Sequence, residues 1–428
     1  MDTSITATLT RRAFDRGSEI GEARLLALAT LVAWHETPDG PDGRARFAHL
    51  GEKFATHDNG SGAAAAGDWL LDPGLSSRDW ELVDDGIHLL KARTSGVVDW
   101  EVEAAYCLSG DQRGGFLSPS MLLARSVARL IDLPAHSSVG CLFSSSASLA
   151  WALARDYKVT LYADRYLPIM LHLLAHAAGR PLNVRRENPL DGSFSPAPYV
   201  RSGGSPPFHE FDFIVSVPPF GAKIQDGPDK GMAFESYQTQ ALAGRAKAAF
   251  YTIVPDAALF REVEAKGRER LVSDFTTTVL SLPAGMFLPT AHLSTCLMRL
   301  ERGATSTASL IDGRTLEAGS TGRPQDAAIA QHLDAFRGLH TDEPSRTATV
   351  TIDELADNNF SLLPDRYLKS EALAAIDQML ARRHTVTLED VAVIERGKAP
   401  TPLRESNDDP AVAALEIAPA DLIDGVVR

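Results

Sequence analysis

Along the first hundred residues, apolar positions recur at helical spacing. SEIGEARLLALATLVAWHE (18–36) carries a long apolar stripe, and TPDGPDG (37–43) ends it, so the spacing predicts a helix. GSGAAAAG (60–67) reads as a loop, and residues 80–108 continue a mostly helical pattern. The pattern then changes. Short runs rich in Val, Ile and Leu alternate with helical stretches: VTLYAD (159–164), FDFIVSV (211–217), AAFYTIVP (248–255), TTTVLSLP (276–283) and STCLMRLE (294–301). This alternation predicts an α/β sheet with crossover helices on both faces, mostly parallel, with an antiparallel strand from the final hairpin. Residues 302–350 read as looser, 385–428 holds two further strand-like runs, and no internal repeat is present.

A chain of 428 residues exceeds one ordinary core, so two or three domains are expected. The 44% hydrophobic and 23% charged content is that of a soluble globular protein. No apolar run approaches the roughly 20 residues that span a bilayer. The opening MDTSITATLTRRAFDRG has neither the apolar core nor the cleavage site of a secretory signal. Cys107, Cys141 and Cys296 are unclustered, which points to reduced thiols in a cytoplasm and to no metal motif. A net charge of −14 argues against indiscriminate binding of nucleic acid by this chain alone. It leaves room for a local basic groove or a basic partner subunit.

The densest local signal is DFIVSVPPFG (212–221): an apolar run, a rigid Pro218-Pro219 pair, then Phe220 before Gly221. Upstream, GGFLSPSMLLARSVARLI (114–131) places Ser118 as a helix cap, with Pro119 at the first helical position. SVGCLFSSSASLAWALA (138–154) reads as a strand, a serine-rich turn and a helix. By itself it is either a serine-capped helix or a small-anion site at a helix N-terminus. LYADRYL (161–167) ends a strand at Asp164, and NPLDGSF (188–194) offers Asn188 or Asp191.

Together these segments resemble the adenine-N6 DNA methyltransferases, in particular the methylation subunit of type I restriction-modification systems. The resemblance runs in order over about residues 20–380. In that family the entry segment reads Phe-x-(Thr/Ser)-Pro, and it is matched around Ser118. The cofactor loop reads Asp-Pro-x-Cys-Gly-Thr-Gly, and it is matched at 140–147 with Gly140 for the acid and Ser144 and Ser146 for glycines. The catalytic strand end reads Asn-Pro-Pro-Phe, and it is matched by Val217, Pro218, Pro219 and Phe220. LPAGMF (282–287) and NNFSLLPDRYL (358–368) fit the family's last loop and the segment closing its core. VTLEDVAVIERGKAPTP (385–401) resembles the opening of a target-recognition domain, whose Arg396 and Lys398 would touch phosphate.

The resemblance implies an α/β, methyltransferase-like Rossmann sheet (109–380), a helical N-terminal domain (1–108) and the start of a target-recognition-like segment (381–428). It implies S-adenosylmethionine as cofactor, held near Ser118, Gly140, Ser144, Ser146, Asp164 and Asn188. It also implies DNA and specificity or other restriction-modification subunits as partners. At the catalytic strand end the family's Asn and the first Pro carbonyl accept hydrogen bonds from the target amine, while the aromatic ring stacks on a flipped adenine. Val217 has no acceptor. Ser216 is the neighbour that would have to substitute, yet adjacent strand residues point to opposite faces. Three functions follow. The favoured one is a methyltransferase fold impaired in methyl transfer and acting through DNA or partner binding. The alternatives are an active adenine-N6 DNA methyltransferase and a fold adapted to another nucleotide.

Overall fold

The computed structural model describes residues 4–15, 20–37, 39–55, 61–92, 97–108, 117–163, 167–186, 211–224, 229–287, 293–303, 305–314, 326–339, 346–368, 422–423 and 426–427. Six helices come first: α1 (Ile5–Asp15), α2 (Ile20–Glu36), α3 (Gly43–Phe54), α4 (Gly62–Leu71), α5 (Ser77–Ala92) and α6 (Trp100–Cys107). Leu25, Leu28, Leu31 and Val32 bury the α2 stripe completely or nearly so. Each such side chain is worth about 1.5–3 kcal/mol of transfer free energy.

Within the stretch expected to be a loop, residues 62–67 instead open α4. Ser61 caps that helix by accepting from the Ala64 N–H, and alanine is the strongest helix former. Its small residues serve close packing: a Cβ added at Gly67 would lie 2.8 Å from the Ala55 nitrogen, at the end of α3.

The sheet follows, with α7 (Met121–Ile131), β1 (Ser138–Leu142), α8 (Ala147–Leu153), β2 (Lys158–Tyr162), α9 (Leu167–Ala177), β3 (Leu182–Arg185) and β4 (Phe213–Ser216). Next come α10 (Phe234–Leu242), β5 (Ala249–Pro255), α11 (Ala257–Phe260), α12 (Ala265–Asp274), β6 (Phe275–Ser281) and β7 (Thr295–Arg302). β8 (Thr307–Asp312), α13 (Asp326–Leu333), β9 (Thr347–Thr351) and α14 (Ile352–Asp357) complete it. The strand order among the described residues is β3-β2-β1-β4-β5-β7-β6-β8-β9. β3 through β5 in that order are mutually parallel. β7 runs antiparallel to β5 and β6, as the hairpin expectation required. β8 and β9 lie within the stretch expected to be loose.

Alternate residues of each strand enter two separate cores. Val139 and Cys141 of β1, Val215 of β4 and Tyr251 of β5 join the core shared with α2, α7, α8 and α9. Leu142, Ile214 and Phe250 join the core under α10 and α12. This is the period of two of a strand with both faces covered. α7 shows the matching helical logic. Leu123, Ala124, Val127, Leu130 and Ile131 are buried, while Arg129 reaches Asp334 at 2.7 Å.

Residues 1–370 form one compact unit and 371–428 a second. In the second, β10 (Leu422–Ile423) pairs antiparallel with β11 (Val426–Val427). No helix among the described residues is long and apolar enough to cross a membrane.

Candidate functional site

The strand order reverses between β1 and β4: β2 and β3 lie on one side, β5 on the other. In an open parallel sheet such a reversal opens a crevice at the carboxyl ends of the strands. Leu142 and Ser216 are the last residues of the two strands and pair directly. Val217, Pro218, Pro219 and Phe220 leave β4 at that edge, which is where the VPPF segment was expected.

Val217 is wholly buried and belongs to the core beneath α7, α8 and α9. Pro218 is buried, and Pro219 and Phe220 are half-buried. The Phe220 ring meets Phe287 edge-on, centroids 5.4 Å apart. Gly221 turns the chain at φ +76°, a conformation that costs glycine little.

Ser216 faces the other way, toward α10. Its hydroxyl donates to Gln238 Oε1 at 3.0 Å, and Gln238 Nε2 donates to the Thr239 hydroxyl at 2.9 Å and the Thr252 hydroxyl at 3.2 Å. All four residues are buried. Beside them Glu235 is wholly buried, with Arg261 at 3.3 Å. Burial pushes the Glu235 carboxyl above its usual range, against the pull of backbone N–H groups and Arg261. Sequence reading missed Gln238 and Glu235. The available signal was FESYQTQAL (234–242), which places Glu235, Gln238 and Thr239 on one face of a short helix.

The serine-rich turn after β1 is built differently from its expectation. Gly140 lies mid-strand rather than at the strand end, on the face covered by Phe211. A Cβ there would come within 2.5 Å of that ring. Phe143, not a glycine, makes the turn, at φ +71° and ψ 151°. Only glycine visits that region readily, so the conformation costs about 1–3 kcal/mol and must be held by its surroundings. What holds it is packing: Phe143 is buried edge-on against Phe234 of α10, centroids 5.5 Å apart. Ser144, Ser145 and Ser146 form a single 3-10 turn leading into α8. Ser146 does not cap α8 with its side chain. Its hydroxyl donates to the Leu142 carbonyl at 2.5 Å and accepts from the Val217 N–H at 2.9 Å.

Ser118 is not the cap of α7. That place belongs to Ser120, whose hydroxyl accepts from the Leu123 N–H. Ser118 and Pro119 lie ahead of the helix, and Ser118 shares a 2.7 Å hydrogen bond with Ser148 of α8. Asp164, Asn188, Asp191, Arg396 and Lys398 lie outside the described residues. So does the strand-like AVAALEIA. No cluster of metal-ligating side chains occurs among the described residues.

Glu101 of α6 joins the helical layer to α7, α8 and the residue pair leading into β3, away from the carboxyl edge of the sheet. It accepts from Arg125 of α7 at 2.5 Å, from the Trp151 indole of α8 at 3.3 Å, and from Arg180. The Arg180 guanidinium also stacks over Trp151, 4.8 Å from the ring centroid.

An S-adenosylmethionine site of the expected kind needs a loop whose backbone a ligand can approach closely. The described loop does not fit that need. Phe143 fills the turn, and the Ser146 N–H is bonded to the Phe143 carbonyl at 2.9 Å. The Ser146 hydroxyl is engaged on both sides.

Residues 203–375 match the family model described as N-6 DNA Methylase. Among solved structures, the chain resembles the methyltransferase subunit of a type I restriction-modification system from Streptococcus thermophilus. Identity is 15%, coverage 81% of each chain and the TM-score 0.51. A modification subunit of a putative type I restriction enzyme from Vibrio vulnificus is 15% identical over 77% of each chain, with a TM-score of 0.55. A chain from a type I restriction-modification assembly is 17% identical over 88% of this chain and 93% of that one, TM-score 0.54. At these identities the likeness is one of fold. No curated protein matches the sequence.

Proposed function

We infer a role in a DNA-modification system, because residues 203–375 match the N-6 DNA methylase family model and the chain has a fold like that of type I restriction-modification methyltransferase subunits. We propose that the chain is impaired in methyl transfer and acts by binding DNA together with partner subunits. The observation that carries this reading is Val217. It stands where the resemblance places an amine acceptor, and it is an apolar side chain turned wholly into the core. Removing a polar contact of that kind typically costs about two to three orders of magnitude in rate. The Pro218 carbonyl remains, but one acceptor cannot orient the amine as two do. The reading as a binder of another nucleotide is weakened, since Ser146 already spends its hydroxyl on the backbone.

The net charge of −14 adds a second element. Phosphate contacts supply most non-specific affinity for DNA, and an acidic chain supplies few. DNA binding is therefore proposed as a property of the assembly, with basic partner subunits providing the grip. The test is a gel-shift series with unmodified duplex at rising salt, using this chain alone and with partner subunits from the same system. Tight binding is expected only for the mixture. Equal affinity with and without the partners would refute the reading.

A further inference from the structure

We propose that Ser146 latches the crevice shut at the point where the sheet reverses, so that the turn at 143–146 is a structural joint and not a ligand loop. The inference rests on the family reading only for what such a crevice would otherwise hold.

Leu142 ends β1 and Val217 follows the end of β4, on the two sides of the reversal. Ordinarily the backbone groups leaving neighbouring strands there splay apart, and a ligand enters between them. Here one fully buried hydroxyl takes the Leu142 carbonyl and the Val217 N–H together. Both residues are buried, where backbone polar groups need partners. The hydroxyl supplies one donor and one acceptor, which matches the two needs.

Phe143 completes the joint from the opposite face. At φ +71° it turns its ring onto Phe234 of α10, rather than leaving an open turn above the sheet. The turn is thus held on one face by an aromatic pair and at the strand ends by a hydroxyl bridge. Opening it for a ligand would break both. A glycine loop has neither attachment, which is how it can receive a cofactor backbone-first.

The experiment uses the full chain and S-adenosylhomocysteine as the probe, in three arms. In the first, hydrogen exchange in the parent should find the Val217 amide as protected as the amides of β4, with and without the probe. In the second, the melting temperature of the parent should not move at millimolar probe. In the third, Ser146→Ala should melt several degrees lower, while Ser146→Thr, which keeps the hydroxyl, should recover part of the loss. Fast exchange at Val217 would overturn the latch, as would a Ser146→Ala variant melting with the parent. A probe-dependent rise in the parent that disappears in Ser146→Ala would overturn it differently, by making Ser146 a ligand contact. If Ser146→Ala does not fold, the exchange result in the parent still decides. Probe binding without methyl transfer would sink the latch and leave the proposed function standing.

Discussion

The Ser216 hydroxyl donates to Gln238 Oε1 at 3.0 Å, with both side chains buried on the α10 face of the sheet. Val217, one residue later, faces the opposite core. Ser216 therefore cannot lend its oxygen to the crevice without abandoning a buried partner. Leaving a buried acceptor unpaired costs about 1–3 kcal/mol. Ser216→Ala should lower unfolding stability by that amount in urea. An unchanged midpoint would show that the hydroxyl is free to serve elsewhere.

Phe143 carries a test of backbone strain. Phe143→Ala removes a buried ring and keeps the unfavourable φ, so a loss of about 3–5 kcal/mol is expected. Phe143→Gly loses the same ring but relaxes the backbone, and should be milder by about 1 kcal/mol. Thermal or urea unfolding of the two variants gives the order directly. If glycine proves the worse of the two, the turn is not strained as described.

Glu235 sets a pH dependence whose sign can be worked out. Burial raises its folded-state value above the ordinary 4.5. The folded protein thus holds this proton more tightly than the unfolded chain. The associated stability is fully present below about 4.5 and is lost as pH rises through the folded-state value. Glu235→Gln stays neutral throughout. It should melt above the parent at pH 7.5, with the difference closing toward pH 4.5. A difference that is constant over that window, or reversed in sign, would place Arg261 and not burial in control.

Much of this fold is legible in the sequence, because strand periodicity and helical spacing are local. FDFIVSV and AAFYTIVP are strands for the reason they look like strands: alternate residues feed two cores. GSGAAAAG misleads because glycine and alanine suggest a turn, while here their smallness lets α4 pack against α3. β8 and β9 escape notice because TASLID and TATVT are short and half polar, at one end of the sheet order. Within the candidate site, VPPF is placed well. The rest is not local. The Gln238 partner of Ser216 lies 22 residues away, and the bridge from Ser146 to Val217 spans 71. A phenylalanine at positive φ leaves no mark in sequence, since glycine is the residue that advertises it.

Val217→Asn supplies the missing acceptor, but in a fully buried position. An amide without a partner there costs about 1–3 kcal/mol. The variant should be less stable and should gain no methyl transfer, because the turn at 143–146 is unaltered. An acid at 140 would not help, since it would strike Phe211. Recovery of methylation by Val217→Asn alone, measured with labelled cofactor, would show that the turn at 143–146 is no obstacle.

The most direct measurement is labelled-methyl transfer from S-adenosylmethionine to unmodified DNA, using the parent chain with partner subunits from the same system. No adenine methylation above background is expected, even as those subunits hold the DNA. Substantial adenine methylation would contradict the account. It would mean that the Pro218 carbonyl and Phe220 suffice at the base, and that the crevice beside Ser146 opens.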